Sequence, residues 1–134
     1  IQKEPQRTNE PLTSIDQARR IAGLAEEKLA QDIVILDMRP VCAYTDFFVV
    51  CSGQNPRQTK AIVDEVRYGL KHGDERLLPH TVEGEREGNW IVADYLDVVL
   101  HVFTPETRSN SGITTWRIWL ATYSRISDVI SPSP

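Results

Sequence analysis

The stretch EGNWIVADYLDVVLHVF, residues 87–103, places eleven apolar residues in seventeen positions. It is rich in strand formers, and its two apolar runs are separated only by the short link YLD. Runs joined so tightly pair antiparallel, so NWIVAD and VVLHVF are expected as neighbouring strands of one sheet. The same stretch carries Trp90, Asp94, Asp97 and His101. Whether these form a catalytic site or decorate a binding surface decides what the chain does.

The segments before it complete the sheet. Ile15, Ala18, Ile21, Ala22, Ala25 and Leu29 recur at helical spacing, which predicts a helix from Ser14 to Gln31 capped by Thr13 or Ser14. DIVILDM reads as a buried, β-branched strand, and TDFFVVCSG as a second. Asn55-Pro56 is a helix opening, with Asn as cap and Pro in the first turn, and Gly73 marks the end of that helix. ERLLPHTVEG is expected to be a short edge strand, given Pro79. The order α-β-β-α-β-β-β implies an α+β domain, a mixed α/β sheet covered by helices.

At 134 residues the chain suits one domain. No apolar run nears the roughly 20 residues of a membrane helix. Residues 1–13 read as a polar, flexible leader rather than a secretory signal, and the chain begins without Met, which leaves room for a leader or tag ahead of it. The net charge is −4, with both signs interspersed, so direct nucleic-acid binding is disfavoured. An acidic protein can instead dock on a basic protein surface. Cys42 and Cys51 flank apolar segments and are expected as inert buried thiols.

The candidate catalytic groups weigh poorly. Metal-dependent chemistry needs two carboxylates converging on one ion, which on a strand means spacing i, i+2. Asp94 and Asp97 are three apart across the link, where Asp97 is expected to cap backbone amides. Asp37 and Asp46 sit at strand ends, and turn chemistry explains them as well. His72 and His80 fall near loops; His101 shares its face with Val99 and Phe103, as a sheet residue with a hydrogen-bond partner. Ser52 lacks a nucleophile elbow, and the SGQNPRQ loop lacks the lysine of a phosphate loop. No catalytic residue, metal or cofactor is expected. Trp90 begins a strand at the sheet margin after the charged link EGEREGN. Either it closes the core's end or it is an aromatic anchor for a partner.

These segments, in this order and spacing, resemble a known family. TDFFV, the SG.NPRQ loop, EG...W and D..DVV.HVF, together with TPETR, are similar to the Iojap-like ribosomal silencing factor (RsfS) family over residues 14–108. The resemblance implies a nucleotidyltransferase-like fold without its active site and a non-enzymatic role. It also implies binding to the large ribosomal subunit through ribosomal protein fourteen (uL14), with steric blocking of small-subunit joining and repression of translation. A homodimer is implied too. So is residence in the bacterial cytoplasm, or in an organelle's matrix or stroma in a eukaryote. Trp90, Tyr95, Asp97 and His101 fall on the family's motif and are assigned to the partner surface, with Asp46, Ser52, Gly53, Arg57 and Gln58 supporting it. Two rival readings remain: a large-subunit assembly factor, and a nucleotide-binding nucleotidyltransferase relative.

The chain departs from the family pattern twice. Leu96 stands in a link where glycine is common, so the turn is expected to differ from the tightest type. The tail, residues 109–134, is atypical, and its ITTWRIWLATY suits helix or strand equally. Suitable codons for residues 109–124, read one nucleotide earlier, spell EQFRHYDLEDLAGDVF, which is close to the family's short terminal helix. A frameshift after Arg108 is therefore expected. Sequencing the coding DNA checks it, and codons unable to give that reading exclude it.

Overall fold

The computed structural model describes residues 13–111. Helix α1 (Ser14–Glu27) is followed by strands β1 (Gln31–Asp37) and β2 (Phe47–Ser52), then helix α2 (Pro56–His72). Strands β3 (Thr81–Glu83), β4 (Trp90–Asp94) and β5 (Val98–Phe103) come next, and a short helix α3 (Pro105–Ser111) ends the described chain. The α+β architecture and the order of elements agree with the reading of the sequence. Of the leader expected over residues 1–13 only Thr13 is described, and of the tail expected from residue 109, with its proposed frameshift, only Ser109, Asn110 and Ser111, which end α3; the rest of both lies outside the described residues.

The five strands form one mixed sheet in the order β1-β2-β5-β4-β3. β4 and β5 pair antiparallel as expected, β2 and β5 pair in parallel, and β3 and β1 are the two edges. β1 thus differs from the buried strand expected of DIVILDM: its first four residues are exposed or half-exposed and only Ile35 to Asp37 are buried. As an edge strand β1 has one neighbour and its first half lies at the sheet margin, while Ile35 packs in the helix-side core and Leu36 in the cluster on the opposite face.

Both long helices pack against each other and on one face of the sheet, α1 over β1 and β2, α2 over β4 and β5. Ala18, Ile21, Leu24 and Ala25 of α1 and Ile62, Val63, Val66 and Leu70 of α2 meet Val49, Cys51, Ile91, Ala93, Leu100 and Val102 there. Burying these side chains on alternate strand positions fixes the register, since a slip of one residue would turn every one of them outward.

The helix ends follow local chemistry. Thr13 caps α1 by accepting from the Asp16 N–H at 3.2 Å. α1 stops at Glu27, four residues before the expected end, because Leu29 enters the left-handed region at φ 64°. The Leu29 and Ala30 amides then return to the Glu26 and Ala25 carbonyls at 2.9 and 3.2 Å, which closes the helix in the manner usually left to glycine. At α2, Asn55 Oδ1 accepts from the Gln58 N–H at 2.9 Å. Gln58 Oε1 takes the Gln54 amide at 2.7 Å, and its Nε2 donates to the Lys28 and Leu29 carbonyls at 3.1 and 3.2 Å. Gln58 therefore ties the start of one helix to the end of the other.

Leu96 also adopts a left-handed conformation, φ 74°, at the tip of the β4–β5 link, with its side chain 58% exposed. A bulky residue there is strained by about 1–2 kcal/mol. Leu96→Gly removes that strain and returns about half of it as unfolded-chain entropy. The variant is expected to be more stable by roughly 0.5–1 kcal/mol. Urea unfolding measures this, and a destabilised variant would show that the leucine side chain packs usefully.

Candidate functional site

Strand alternation puts a second set of side chains on the face opposite the long helices. Leu36, Met38, Val50 and Phe103 form a buried cluster there, with Val34, Cys42 and Phe48 packed against it. The register aligns this face in rows. Glu83, Val92, His101 and Val50 share one, and Thr81, Asp94, Val99 and Phe48 another. Trp90 stands opposite Phe103. Phe48, Val92, Asp94 and Val99 are half-exposed, and Trp90 is 38% exposed.

Trp90 is held in place from two sides. Its indole Nε1–H donates to His101 Nδ1 at 3.1 Å, and its ring lies 4.8 Å from that of Phe103. The sequence left two readings of Trp90 open, and the structure contains part of each: one side of the ring packs, and more than a third of the residue stays in solvent. His101 is 7% exposed, with the Phe48 ring centroid at 4.5 Å. Burial pushes its pKa down to about 4, against a smaller opposing pull from Asp94. The imidazole is therefore neutral, and because Nδ1 accepts, the proton sits on Nε2. That nitrogen is buried and without a hydrogen-bond partner.

The other residues assigned from the motif scatter around this anchor. Tyr95 is one position out of phase with Trp90, Val92 and Asp94, so it points to the helix side, where it is 4% exposed. Burial raises its hydroxyl pKa to about 12, and the oxygen has no partner. Tyr95 cannot touch a partner docked on Trp90's face. Asp97 is exposed in the link, but it is Asp94, not Asp97, whose carboxylate caps the turn, accepting from the Leu96 N–H at 2.7 Å. Asp97 instead offers its backbone carbonyl to the amides of Asp46 and Phe47, at 2.9 and 3.2 Å, joining the β1–β2 connector to the β4–β5 link.

Ser52, Gly53, Arg57 and Gln58 lie at the opposite end of β2. Ser52 and Gly53 are buried: the Ser52 hydroxyl accepts from Arg108 at 2.8 Å, and the Gly53 N–H donates to the Phe103 carbonyl at 2.8 Å. These contacts position the end of β5 and the start of α3. Arg57 is exposed on the first turn of α2. The loop's amides at Gly53, Gln54 and Gln58 are spent within the chain, which leaves the phosphate reading without those donors.

The carboxylates do not assemble for metal chemistry. Among the described residues no three His, Cys, Asp or Glu side chains come together as a cation site. Asp37 is buried and takes a two-pronged contact from Arg39, at 2.9 and 2.7 Å, which accounts for it structurally. Cys51 is buried and its thiol is pushed up to about 12 by that burial, as an inert thiol should be; Cys42 is only half-buried. Among the described residues no helix is long and apolar enough to cross a membrane.

Two contributors to this face were missed in the sequence. Phe48 and Glu83 reach it through pairings of β2 with β5 and of β3 with β4, and alternation within each strand would have found them once those pairings were known.

These features define an α+β domain whose second sheet face is apolar and aromatic, with a tryptophan fixed in a part-exposed position. The sequence profile described as "Ribosomal silencing factor during starvation" (RsfS) matches residues 11–122, and the chain belongs to that family. It is 35% identical over 89 residues to "Ribosomal silencing factor RsfS" of Bacillus subtilis (strain 168), over 66% of this chain and 73% of that protein. It is 33% identical over 89 residues to "Mitochondrial assembly of ribosomal large subunit protein 1" of Mus musculus. That match covers 66% of this chain and only 39% of the mouse protein. A crystal structure of a protein from Chromobacterium violaceum superposes with a TM-score of 0.74 at 26% identity, covering 78% of this chain and 86% of the other.

Proposed function

We propose that this protein is a ribosomal silencing factor. It binds the large ribosomal subunit through ribosomal protein uL14, and from there blocks joining of the small subunit by steric exclusion, repressing translation without chemical turnover. Family membership and the name of the Bacillus subtilis relative support this reading. The observation that carries it is Trp90: 38% exposed, yet fixed by a hydrogen bond to a buried histidine and by the Phe103 ring. Tryptophan is enriched among residues that dominate interfaces. One already immobilised loses less side-chain freedom on binding.

Trp90→Ala is expected to weaken binding to purified large subunits by about 2 kcal/mol or more, roughly thirtyfold. Cosedimentation with and without small subunits measures both the affinity and the block. Unchanged binding by a folded variant would remove Trp90 from the interface. Subunits joining freely in the presence of saturating protein would end the silencing reading.

The name of the mouse relative favours a second reading, assembly of the large subunit. Depletion of the protein separates the two. Immature large subunits indicate assembly, and mature subunits that join excessively under starvation indicate silencing. Calorimetry with nucleotides and magnesium addresses the enzymatic rival, which requires binding with turnover.

A further inference from the structure

The Trp90 face has a sharp chemical gradient across it. Toward β1 and β2 it is apolar; toward β3 and β4 it ends in two carboxylates. Glu83 stands directly opposite Val92, and Asp94 follows Val92 by two positions, so both share the face with Trp90. Glu83 is exposed and Asp94 half-exposed, and among the described residues neither makes an ion pair. Asp94 spends Oδ1 on the Leu96 amide and keeps Oδ2 available. The link that follows Glu83 is held close to Trp90, because Gly84 sits directly on the Trp90 carbonyl. An aromatic ring and two unneutralised carboxylates are thus held around one half-exposed valine.

We propose that Trp90, Glu83 and Asp94 form a clasp for one cationic side chain, arginine or lysine, presented by the protein partner. The inference rests on the reading of this face as the docking surface. A cation over the tryptophan face gains from the ring's quadrupole. Its remaining N–H groups reach the carboxylates in charge-assisted hydrogen bonds, and arginine's planar fork suits two acceptors best. A metal ion is the wrong occupant. Among the described residues no three His, Cys, Asp or Glu side chains gather as a cation site, and Asp94 already spends one oxygen on the Leu96 amide. A second copy of this chain is wrong as well. The rows of this face hold no lysine or arginine, so a copy docked through the same face would bring no cation to the clasp. Nucleic acid would meet repulsion between its phosphates and the carboxylates.

The test uses the full chain with Glu83→Gln and Asp94→Asn, singly and together. Both changes keep shape, and the asparagine oxygen still accepts from the Leu96 amide. In cosedimentation with large subunits the double variant is expected to bind about tenfold more weakly and with a flatter dependence on salt. In parallel, the Trp90 indole N–H resonance, assigned with Trp90→Phe, is followed by NMR during titration with a short di-arginine peptide. It should shift in the wild type. It should stay still in the double variant, and also when the peptide carries glutamines instead. If the double variant binds subunits as the wild type does, the clasp is wrong while the docking reading survives. If the wild type itself fails to bind subunits, the docking reading fails, and the peptide titration alone decides the clasp. An unmoved Trp90 resonance overturns the clasp in either case. So does a double variant that dimerises more strongly with its carboxylates neutralised, since the face then takes a second copy.

Discussion

Between pH 7 and pH 4 the fold is expected to lose about 3 kcal/mol of stability through His101 alone, a loss visible as a falling urea midpoint. The ordinary pKa of 6.5 applies to the unfolded chain, and burial lowers the native value to about 4. The unfolded state therefore takes up a proton first as the pH drops. Stability from this group is complete above pH 6.5, drains away as pH falls toward 4, and changes little further below that. Two and a half pH units at about 1.4 kcal/mol each give the magnitude. The direction has a structural cause: a protonated imidazole has two N–H groups, so Nδ1 can no longer accept from Trp90, and a charge would sit among Phe48, Phe103 and Trp90. Asp94 opposes the effect without cancelling it. His101→Phe removes the titrating group, and acid titration of the carboxylates is common to both proteins. Subtracting the variant's pH profile from the wild type's isolates the histidine, and parallel profiles would refute the assignment.

That coupling shows where sequence reasoning reached and where it stopped. His101 could be placed on one strand face with Val99 and Phe103 from parity alone, and the antiparallel pairing of its strand with NWIVAD followed from the short link. What joins His101 to Trp90 is the register, 90 opposite 103 and 92 opposite 101, which sets the indole diagonally across from the imidazole. Local composition does not encode a register of that kind; the burial of Ile91, Ala93, Leu100 and Val102 under α2 selects it. Parity would also have separated Tyr95 from Trp90, since an odd spacing along a continued strand turns a side chain to the other face. The family motif grouped the two through their nearness along the chain, whereas Tyr95 is buried in the core and Trp90 stays part-exposed on the other face.

The two helix openings were legible because their signals are local. Thr13, and Asn55 with Pro56, perform the capping their chemistry suggests. The end of α1 was not, because Leu29 takes a conformation its own propensity resists, held there by the Ala25 and Glu26 carbonyls and by Gln58 from across the fold. Likewise DIVILDM read as a buried strand, because apolar content does not report how many neighbours a strand has. The parallel pairing of β2 with β5, across a helix and two strands, is the non-local choice that makes β1 an edge.

Replacing Gly84 by alanine is expected to destabilise the fold by about 3 kcal/mol and to lower the melting temperature by roughly 10 °C. Gly84 sits at φ 89°, where an alanine pays about 1 kcal/mol for its conformation alone. The larger contribution is steric. A Cβ at this position would run into the carbonyl oxygen of Trp90 and crowd Ile91 Cα, both of them backbone atoms that no side-chain rotation can clear. The β3–β4 link must then open. As it does, the Gly88 amide loses its bond to the Gly84 carbonyl, 2.9 Å in the wild type, and Gly88 presses less closely on Pro56 and Lys60. Trp90 begins the strand immediately after this link, so its alignment on His101 loosens with it. Binding to large subunits should fall alongside stability, even at temperatures where the variant remains folded. Gly23→Ala is the matched control: nothing lies within 4 Å of a Cβ there, and helix propensity predicts a gain of up to about 1 kcal/mol. Thermal unfolding of the two variants beside the wild type should therefore move in opposite directions. A Gly84 variant that melts with the wild type would show that the link can shift away from Trp90 at no cost, and would detach the geometry of the anchor from the glycine beside it.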